Sequence, residues 1–454
     1  MATTARDVAR RVLARVEQGG AWATLALDGE LQRSGLADRD RRLAAELVYG
    51  VLRHRARLDR ALARHATLGR TPPAALIALR VAAYQLLLLD RVPAHAAVDD
   101  AVAAVRRGVG AKVAGFVNAV LRKLAAAGEP PLPDDPRQQL EVACSMPPWI
   151  VDELAAALGE PAALAAAAEA LTRPAPLWIR VNRRRATVDE VRAALVAEGA
   201  TVDDAATGGA VAPAVGDGAA AEPAATAPLV AATALRVTGL GDPATSPSFR
   251  AGLWTVQDLG AQYVDALADA GALPAGARVL DACAGVGGKA TGLAEVVADG
   301  VVVDAADVAP AKLALAAEAA ARLGLTAVHP VACDLLDPAA PLAAAYDLIL
   351  LDAPCTGLGV LRRHPEAKWR LAAADVAAAA ALQARLLDAM VARLAPGGTL
   401  IYSVCTFTRA EGAAQIAALR ARHPTLRLRD ERVTWPHLDG ADAFYMARLT
   451  RDAC

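Results

Sequence analysis

Apolar residues recur at three- and four-residue spacing through ARDVARRVLARV, RRLAAELVYGVLRHRARLDRAL, AALIALRVAAYQLLLL and AKVAGFVNAVLRKLAAA. That period gathers them on one face of an α-helix, and no strand-like alternation interrupts it. Breaks fall at Gly19-Gly20, Thr71-Pro72-Pro73 and Val92-Pro93. Residues 1–130 therefore predict an all-α domain of five to seven helices. GEPPLPDDP, at 128–136, reads as a proline-rich linker.

Beyond it the pattern mixes. CSMPPWIVDELAAAL and the alanine run after it are helical, LWIRVN (177–182) and ALRVTG (234–239) are strands, and VDEVRAALVAEG (188–199) is a helix. Residues 137–250 thus predict a small α+β middle segment. Within it, residues 203–233 are almost all Ala, Gly, Pro, Val and Thr, without periodicity, and read as a disordered insertion. From 251 to 454 the apolar runs RVLDAC, GVVVDAAD, AVHPVACD, YDLILLDAP and GGTLIYSVC alternate with helical segments. Strand and helix at this spacing predict a doubly wound, mostly parallel α/β sheet.

Composition narrows the class. The chain has 454 residues, too many for one ordinary core. Its hydrophobic fraction of 55% is inflated by alanine, with aromatics at 4%. No apolar run approaches the ~20 residues of a bilayer span, and no signal-peptide core opens the chain, so a cytoplasmic protein without membrane contact is expected. The net charge of −1 hides an asymmetry, because residues 1–130 hold 21 Lys and Arg against 12 Asp and Glu. Arginines crowd at Arg39, Arg41 and Arg42 and at Arg53, Arg55, Arg57 and Arg60. A basic module on a near-neutral chain points to a polyanionic partner. The six cysteines form no C-x-x-C pair and no metal-like spacing, so no metal site is expected, and each thiol serves packing or chemistry.

Chemistry concentrates where the strands end, because ligands of open α/β sheets bind there. After RVLDAC come Ala284, Gly285, Val286, Gly287, Gly288 and Lys289, a glycine turn that lets backbone approach a cofactor. Taken alone, this loop admits a dinucleotide as readily as S-adenosyl-methionine. Asp307 ends the second strand at a spacing suited to a ribose hydroxyl, or to capping the helix that follows; Asp334 ends the third. The fourth delivers Asp352, with Pro354 and Cys355 behind it, and the fifth ends in Cys405. Two thiols and a carboxylate are expected to converge on one crevice.

In combination, DACAGVGGK, LLDAPCTGLGVLRRHPEAKW and YSVCTFTRAE resemble the RNA cytosine-C5 methyltransferases. With ARRVLARVEQGGAWATLAL, DRRLAAELVYGVLRHRARLD and FVNAVLRKL, which look like a NusB-like RNA-binding domain, the chain resembles the bacterial small-subunit ribosomal RNA methyltransferase B family over nearly its whole length. The resemblance implies a NusB-like helical domain, a middle segment and a Rossmann-like methyltransferase domain. It implies S-adenosyl-methionine as cofactor, held by Cys283 through Lys289, Asp307, Asp334 and Asp352. By motif match, Cys405 is the attacking nucleophile, Cys355 assists loss of the C5 proton, and Asp352 meets the base. Gln257 and Asp258 would help frame the cofactor. Arg362, Arg363, His364, Lys368 and Trp369 would face RNA, with Trp369 stacking on a base. The partner implied is 16S ribosomal RNA, unassembled or early in assembly, acted on by a monomer. The same chemistry on tRNA or large-subunit RNA, and a non-catalytic RNA-binding assembly factor, are the competing readings. Three positions depart from the family pattern: Val286 stands for Pro, Ala290 for Thr, and Gly412, after Glu411, for Asn.

Overall fold

Thr4 starts the first helix, α1 (Ala5–Gly19): its hydroxyl accepts from Asp7 N, and the Asp7 carboxylate accepts from Thr4 N. Gly20, left-handed at φ 65°, ends it. The face carrying Val8, Val12, Leu13 and Val16 is buried. The same periodic logic produces α2 (Ala23–Ser34), α3 (Asp38–Arg53), α4 (Arg55–Ala63), α5 (Pro73–Leu88), α6 (Ala94–Gly108) and α7 (Ala111–Ala127). In α5 the apolar positions run almost all the way round, and residues 77–85 are buried in the centre of the bundle. There Arg80, 3% exposed, is gripped by Glu17 and Asp59 at 2.8 and 2.7 Å.

The computed structural model describes residues 3–204 and 233–453. They fall into two compact units. The first comprises Met1–Asp152, Glu160–Arg173 and Leu361–Leu371, the second Glu153–Gly159, Pro174–Val360 and Ala372–Cys454. The proline-rich linker is strapped to the first unit. Arg57 holds Glu129 through two hydrogen bonds, and Arg60 donates to the carbonyls of Pro130 and Pro131.

For Arg362 and Lys368, both buried, the structure corrects the expectation that they face RNA; Arg363, His364 and Trp369 are half-buried. Residues 361–371 belong to the helical unit. Lys368, 2% exposed, donates to the Arg53 carbonyl at 2.7 Å and the Cys144 carbonyl at 3.4 Å. Trp369 spends its indole N–H on Leu52 O at 2.7 Å, and Glu366 accepts from Ala23 N. Arg362 is buried as well. Burial of the flanking residues and use of the indole N–H tie Trp369 to this helical packing.

The second unit holds two sheets. β1 (Leu177–Val181), β2 (Thr201–Asp204), β3 (Ala234–Thr238) and β4 (Trp254–Val256) form an antiparallel sheet in the order β2-β3-β1-β4. Ile179, Val181, Leu235, Val237 and Trp254 meet Val191 and Leu195 of the helix Val188–Ala197 in its core. Asp203 and Asp204, read from sequence as the start of the insertion, lie in β2, and Thr233 O accepts from Val181 N. The remainder of that insertion, 205–232, lies outside the described residues.

The larger sheet contains β5 (Arg278–Ala282), β6 (Val302–Asp307), β7 (Val328–Ala332), β8 (Tyr346–Asp352), β9 (Leu394–Val404), β10 (Leu426–Val433) and β11 (Tyr445–Arg451). Its order is β10-β11-β9-β8-β5-β6-β7. Pairings from β7 across to β9 are parallel, and β11 and β10 are antiparallel. Strand order reverses between β5 and β8, and that switch point opens the crevice where ligands of such sheets bind. The doubly wound, mostly parallel sheet is as the pattern predicts. Among the described residues no helix is long and apolar enough to cross a membrane.

Candidate active site

β5 runs into the glycine turn at Cys283, whose φ of 66° is left-handed for a side-chain-bearing residue. Ala284 N donates to Ala306 O at 2.8 Å, tying the turn to β6. Gly287, at φ 83°, has no room for a side chain: a Cβ there would lie 2.6 Å from Ala316 Cβ. Glycine at 287 thus lets the turn pack against the helix Pro310–Leu323 and start the helix Gly288–Val296. Asp307 serves both sides, with one carboxylate oxygen accepting from Gly285 N at 2.9 Å and the other from Ala309 N at 2.8 Å. The capping alternative is therefore real, and each oxygen keeps a further lone pair.

A cleft of about 580 Å³, including its mouth, is lined by Gln257, Ala261, Asp281, Cys283, Ala284, Gly285, Val286, Gly288, Lys289 and Asp352. Most residues that the sequence singles out for the cofactor meet here. Asp307 supports the turn from behind. Asp334 does not join them: it is exposed and caps its own turn by accepting from Leu336 N. Asp258 also works locally, accepting from Gly260 N and Asp442 N. Ala290 is fully buried against the apolar core, and the neighbouring Thr291 brings a hydroxyl to the helix start, donating to the Gly287 and Gly288 carbonyls.

Electrostatics concentrate on three side chains. Lys289 Nζ lies 2.5 Å from Asp352 Oδ2, and Ser403 Oγ donates to Asp352 Oδ1 at 2.7 Å. Burial alone would lower the Lys289 pKa, but the Asp352 carboxylate outweighs it and the ammonium is held charged. Asp281, 0% exposed, is approached by the Ala290 N–H but makes no well-formed hydrogen bond on either carboxylate oxygen. Burial pushes its pKa well up, with Lys289 pulling the other way. The sequence reading passed over Asp281. A carboxylate inside the apolar run VLDAC was the available signal, since a charge in a buried strand needs a partner.

The two thiols sit on adjacent strands. Cys405 follows β9 directly, and Cys355 lies three residues beyond the end of β8, where Ala353 N is pinned to Ser403 O. Their Sγ atoms are 3.3 Å apart, and both residues are half-buried. The Cys405 sulfur, burial and the Glu411 charge push the Cys355 pKa well up, so it rests as a thiol. The two thiols meet at these strand tips; of the three groups expected in one crevice, Asp352 lines the cleft and the thiols are not among its lining residues.

Comparison with known proteins agrees with this geometry. Residues 272–450 match the family described as 16S rRNA methyltransferase RsmB/F, residues 3–126 the NusB family, and residues 146–211 the RsmF/B-like ferredoxin-like domain. The chain is 35% identical to ribosomal RNA small subunit methyltransferase B of Thermus thermophilus, over 99% of this chain and 98% of that one. It is also 35% identical to the protein of the same name from Xanthomonas campestris pv. campestris, over 96% and 92%. Among solved structures, that of PH0851 aligns over 99% of both chains at 22% identity, with a TM-score of 0.78, a likeness of fold.

Proposed function

The chain belongs to the ribosomal RNA small subunit methyltransferase B family, and from that premise we propose that it methylates C5 of a cytosine in 16S ribosomal RNA through a covalent adduct between Cys405 and C6. The observation that carries this reading is the pair of thiols 3.3 Å apart, on strands whose tips also present Asp352 next to the cleft. A dinucleotide-dependent oxidoreductase would leave both thiols without a role, and the family assignment sets it aside.

The cleft suits S-adenosyl-methionine. Asp281 offers a cationic ligand a buried carboxyl without a well-formed hydrogen bond, and the open space at Gly285 and Gly288 leaves backbone accessible. Bound there, S-adenosyl-methionine supplies an electrophilic methyl group on a sulfonium. Gln257, Asp281 and the turn 283–289 would hold it, with Asp307 bracing the turn. Asp334, exposed and outside the cleft, is the weakest member of that set.

Cytosine C5 is a poor nucleophile. The Cys405 thiolate adds to C6, forming an S–C6 bond and moving the C5=C6 electron pair onto C5, which takes the methyl group. Asp352, steadied by Lys289 and Ser403, meets the base at N3 and passes to it the proton given up by the Cys405 thiol, as N3 grows more basic while sulfur adds. Once the Cys405 sulfur is bound in a thioether, one cause of the raised Cys355 pKa disappears. Cys355 can then release its proton to solvent and, as a thiolate, take the C5 proton. The S–C6 bond breaks, the C5=C6 bond returns, and Cys405 leaves as thiolate. C5 and C6 are stacked within a duplex, so the base must be flipped out or already unpaired. Arginines exposed on the helical unit, Arg39 and Arg42 among them, supply a sequence-independent grip on phosphates, on RNA that is free or early in assembly. Arg53, by contrast, is buried, and Arg57 and Arg60 hold the linker.

Two measurements test this. Cys405→Ala should abolish methyl transfer while leaving S-adenosyl-methionine binding intact; normal transfer would refute the mechanism. Bisulfite sequencing of total RNA, with and without the gene, should lose one protected cytosine in 16S RNA. Loss in tRNA or large-subunit RNA would keep the chemistry and change the substrate.

A further inference from the structure

Behind the two thiols lies a buried carboxylate to which the mechanism assigns nothing. Glu411, 0% exposed, accepts from Thr356 N at 2.8 Å and from Gln383 Nε2 at 3.2 Å through one oxygen. Its other oxygen accepts from Thr356 Oγ at 2.7 Å, Thr408 Oγ at 2.8 Å and, more weakly, Thr406 Oγ at 3.4 Å. Thr356 follows Cys355 in the chain and Thr406 follows Cys405. Their hydroxyls also meet each other at 3.1 Å. One side chain thus ties together the residues next to both thiols.

The surroundings make this clamp rigid. Gln383 also donates to Pro354 O, fixing the residue before Cys355. Gly359 N donates to Cys405 O at 3.0 Å, and a Cβ at Gly359 would fall 1.9 Å from Ala443 O and 2.8 Å from Cys405 O. Tyr402 donates to the Glu411 carbonyl at 2.6 Å. Next door, a Cβ on Gly412 would press to 2.9 Å from the Tyr445 ring, which accounts for glycine at that position. A carboxylate buried so deeply is costly unless every lone pair is used, and here one oxygen accepts two hydrogen bonds and the other three.

We propose that Glu411 is a positioning residue for the reaction, holding the loops of Cys355 and Cys405 in the register that keeps the two thiols in contact beside Asp352. The proposal rests on the cysteine chemistry above. A carboxylate suits the task because it only accepts, taking two N–H groups on one oxygen and three hydroxyl protons on the other. A glutamine would turn an NH2 with two protons toward three hydroxyls, which must reverse to accept and cannot all be satisfied, loosening the loops.

The test uses the full-length protein with Glu411→Gln, Thr356→Val and the conservative Thr356→Ser. Thiol register is read by diamide oxidation, with mass spectrometry scoring the Cys355–Cys405 crosslinked peptide over time. Catalysis is read as kcat and KM on 16S RNA, and cofactor binding by calorimetry with S-adenosyl-methionine. Glu411→Gln and Thr356→Val should slow crosslinking and lower kcat together, each about tenfold to a hundredfold, the scale set by displacing reacting groups by ~1 Å. KM and cofactor affinity should stay within about twofold of wild type, and Thr356→Ser should behave as wild type. If Glu411→Gln fails to fold, Thr356→Val carries the same comparison. Unchanged crosslinking and kcat in the variants would overturn the proposal. So would a fall in kcat matched by loss of cofactor binding with crosslinking intact. If the wild-type protein methylates no RNA but crosslinking still depends on Glu411, the functional reading fails and the positioning role stands.

Discussion

Asp281 is the residue whose environment asks most plainly for a ligand. It is fully buried, lines the cleft and makes no well-formed hydrogen bond. Asp281→Asn keeps its shape and removes its charge. S-adenosyl-methionine affinity should fall about tenfold or more, ~1.4 kcal/mol, by calorimetry. Without ligand the variant should be about as stable as wild type, because burial already favours the uncharged form of Asp281 and the amide keeps its shape. Lower stability with unchanged affinity would assign Asp281 to the fold alone. At this scale the sequence was informative where a residue broke its local pattern: Cys355 and Cys405 at strand tips, Asp352 beside them. Trp369 shows the opposite. No local feature announces that the segment following the Pro-Cys motif packs into the helical unit and gives its indole N–H to Leu52 O.

Lys368 in that segment offers a residue-level measurement with a definite sign. Burial, and then the Arg53 charge, lower its pKa to about 7. An unfolded lysine keeps its ordinary value near 10.4, so between these values the unfolded chain binds more protons and stability rises with pH. Cys144 nearby, pushed up to about 11 mainly by burial, acts in the opposite sense from about pH 8.5 upward, and does so in both proteins compared. From pH 7 to 9 the wild type should gain on the order of 2 kcal/mol relative to Lys368→Met, read from denaturant unfolding at each pH. A constant difference across that range would show that Lys368 does not titrate there.

At the scale of elements, the glycine turn between β5 and the helix Gly288–Val296 is the part most sensitive to one added carbon. Gly287→Ala must adopt a left-handed φ and meets Ala316. A cost of about 2 kcal/mol is expected, seen as a Tm lowered by a few degrees, with weaker cofactor binding. Val286, 55% exposed, should tolerate Pro or Ala with little change in stability. Of the five parallel strands, β5, β6, β8 and β9 were legible because central strands read as continuous apolar runs, whereas β7, mostly exposed at the sheet edge, was legible from its place in the strand–helix alternation. β10, LRLRDERV, was not: it is an edge strand whose charged residues pair along the surface, as Arg427 does with Asp452. β2, with the sequence TVDD, lies at the edge of its sheet and carries almost no apolar signal.

For the whole molecule, the claim is that a helical module built for polyanions and a methyltransferase sheet serve one reaction. Fold and family were readable in the sequence because helix period, strand alternation and cysteine motifs agreed with one another. What holds the two thiols in place was not readable. Glu411 contacts Thr356 across 55 positions of sequence, and only the fold brings such partners together.

The central claim is the covalent step, and trapping tests it most directly. If Cys355 removes the C5 proton and so frees the product, Cys355→Ala should stall with Cys405 bonded to C6. Incubated with 16S RNA and S-adenosyl-methionine, it should yield a protein–RNA band that survives denaturation, with the crosslinked peptide containing Cys405. The band should vanish when Cys405 is also replaced by Ala. A Cys355→Ala protein that turns over freely with no adduct, or an adduct that persists without Cys405, would contradict the account.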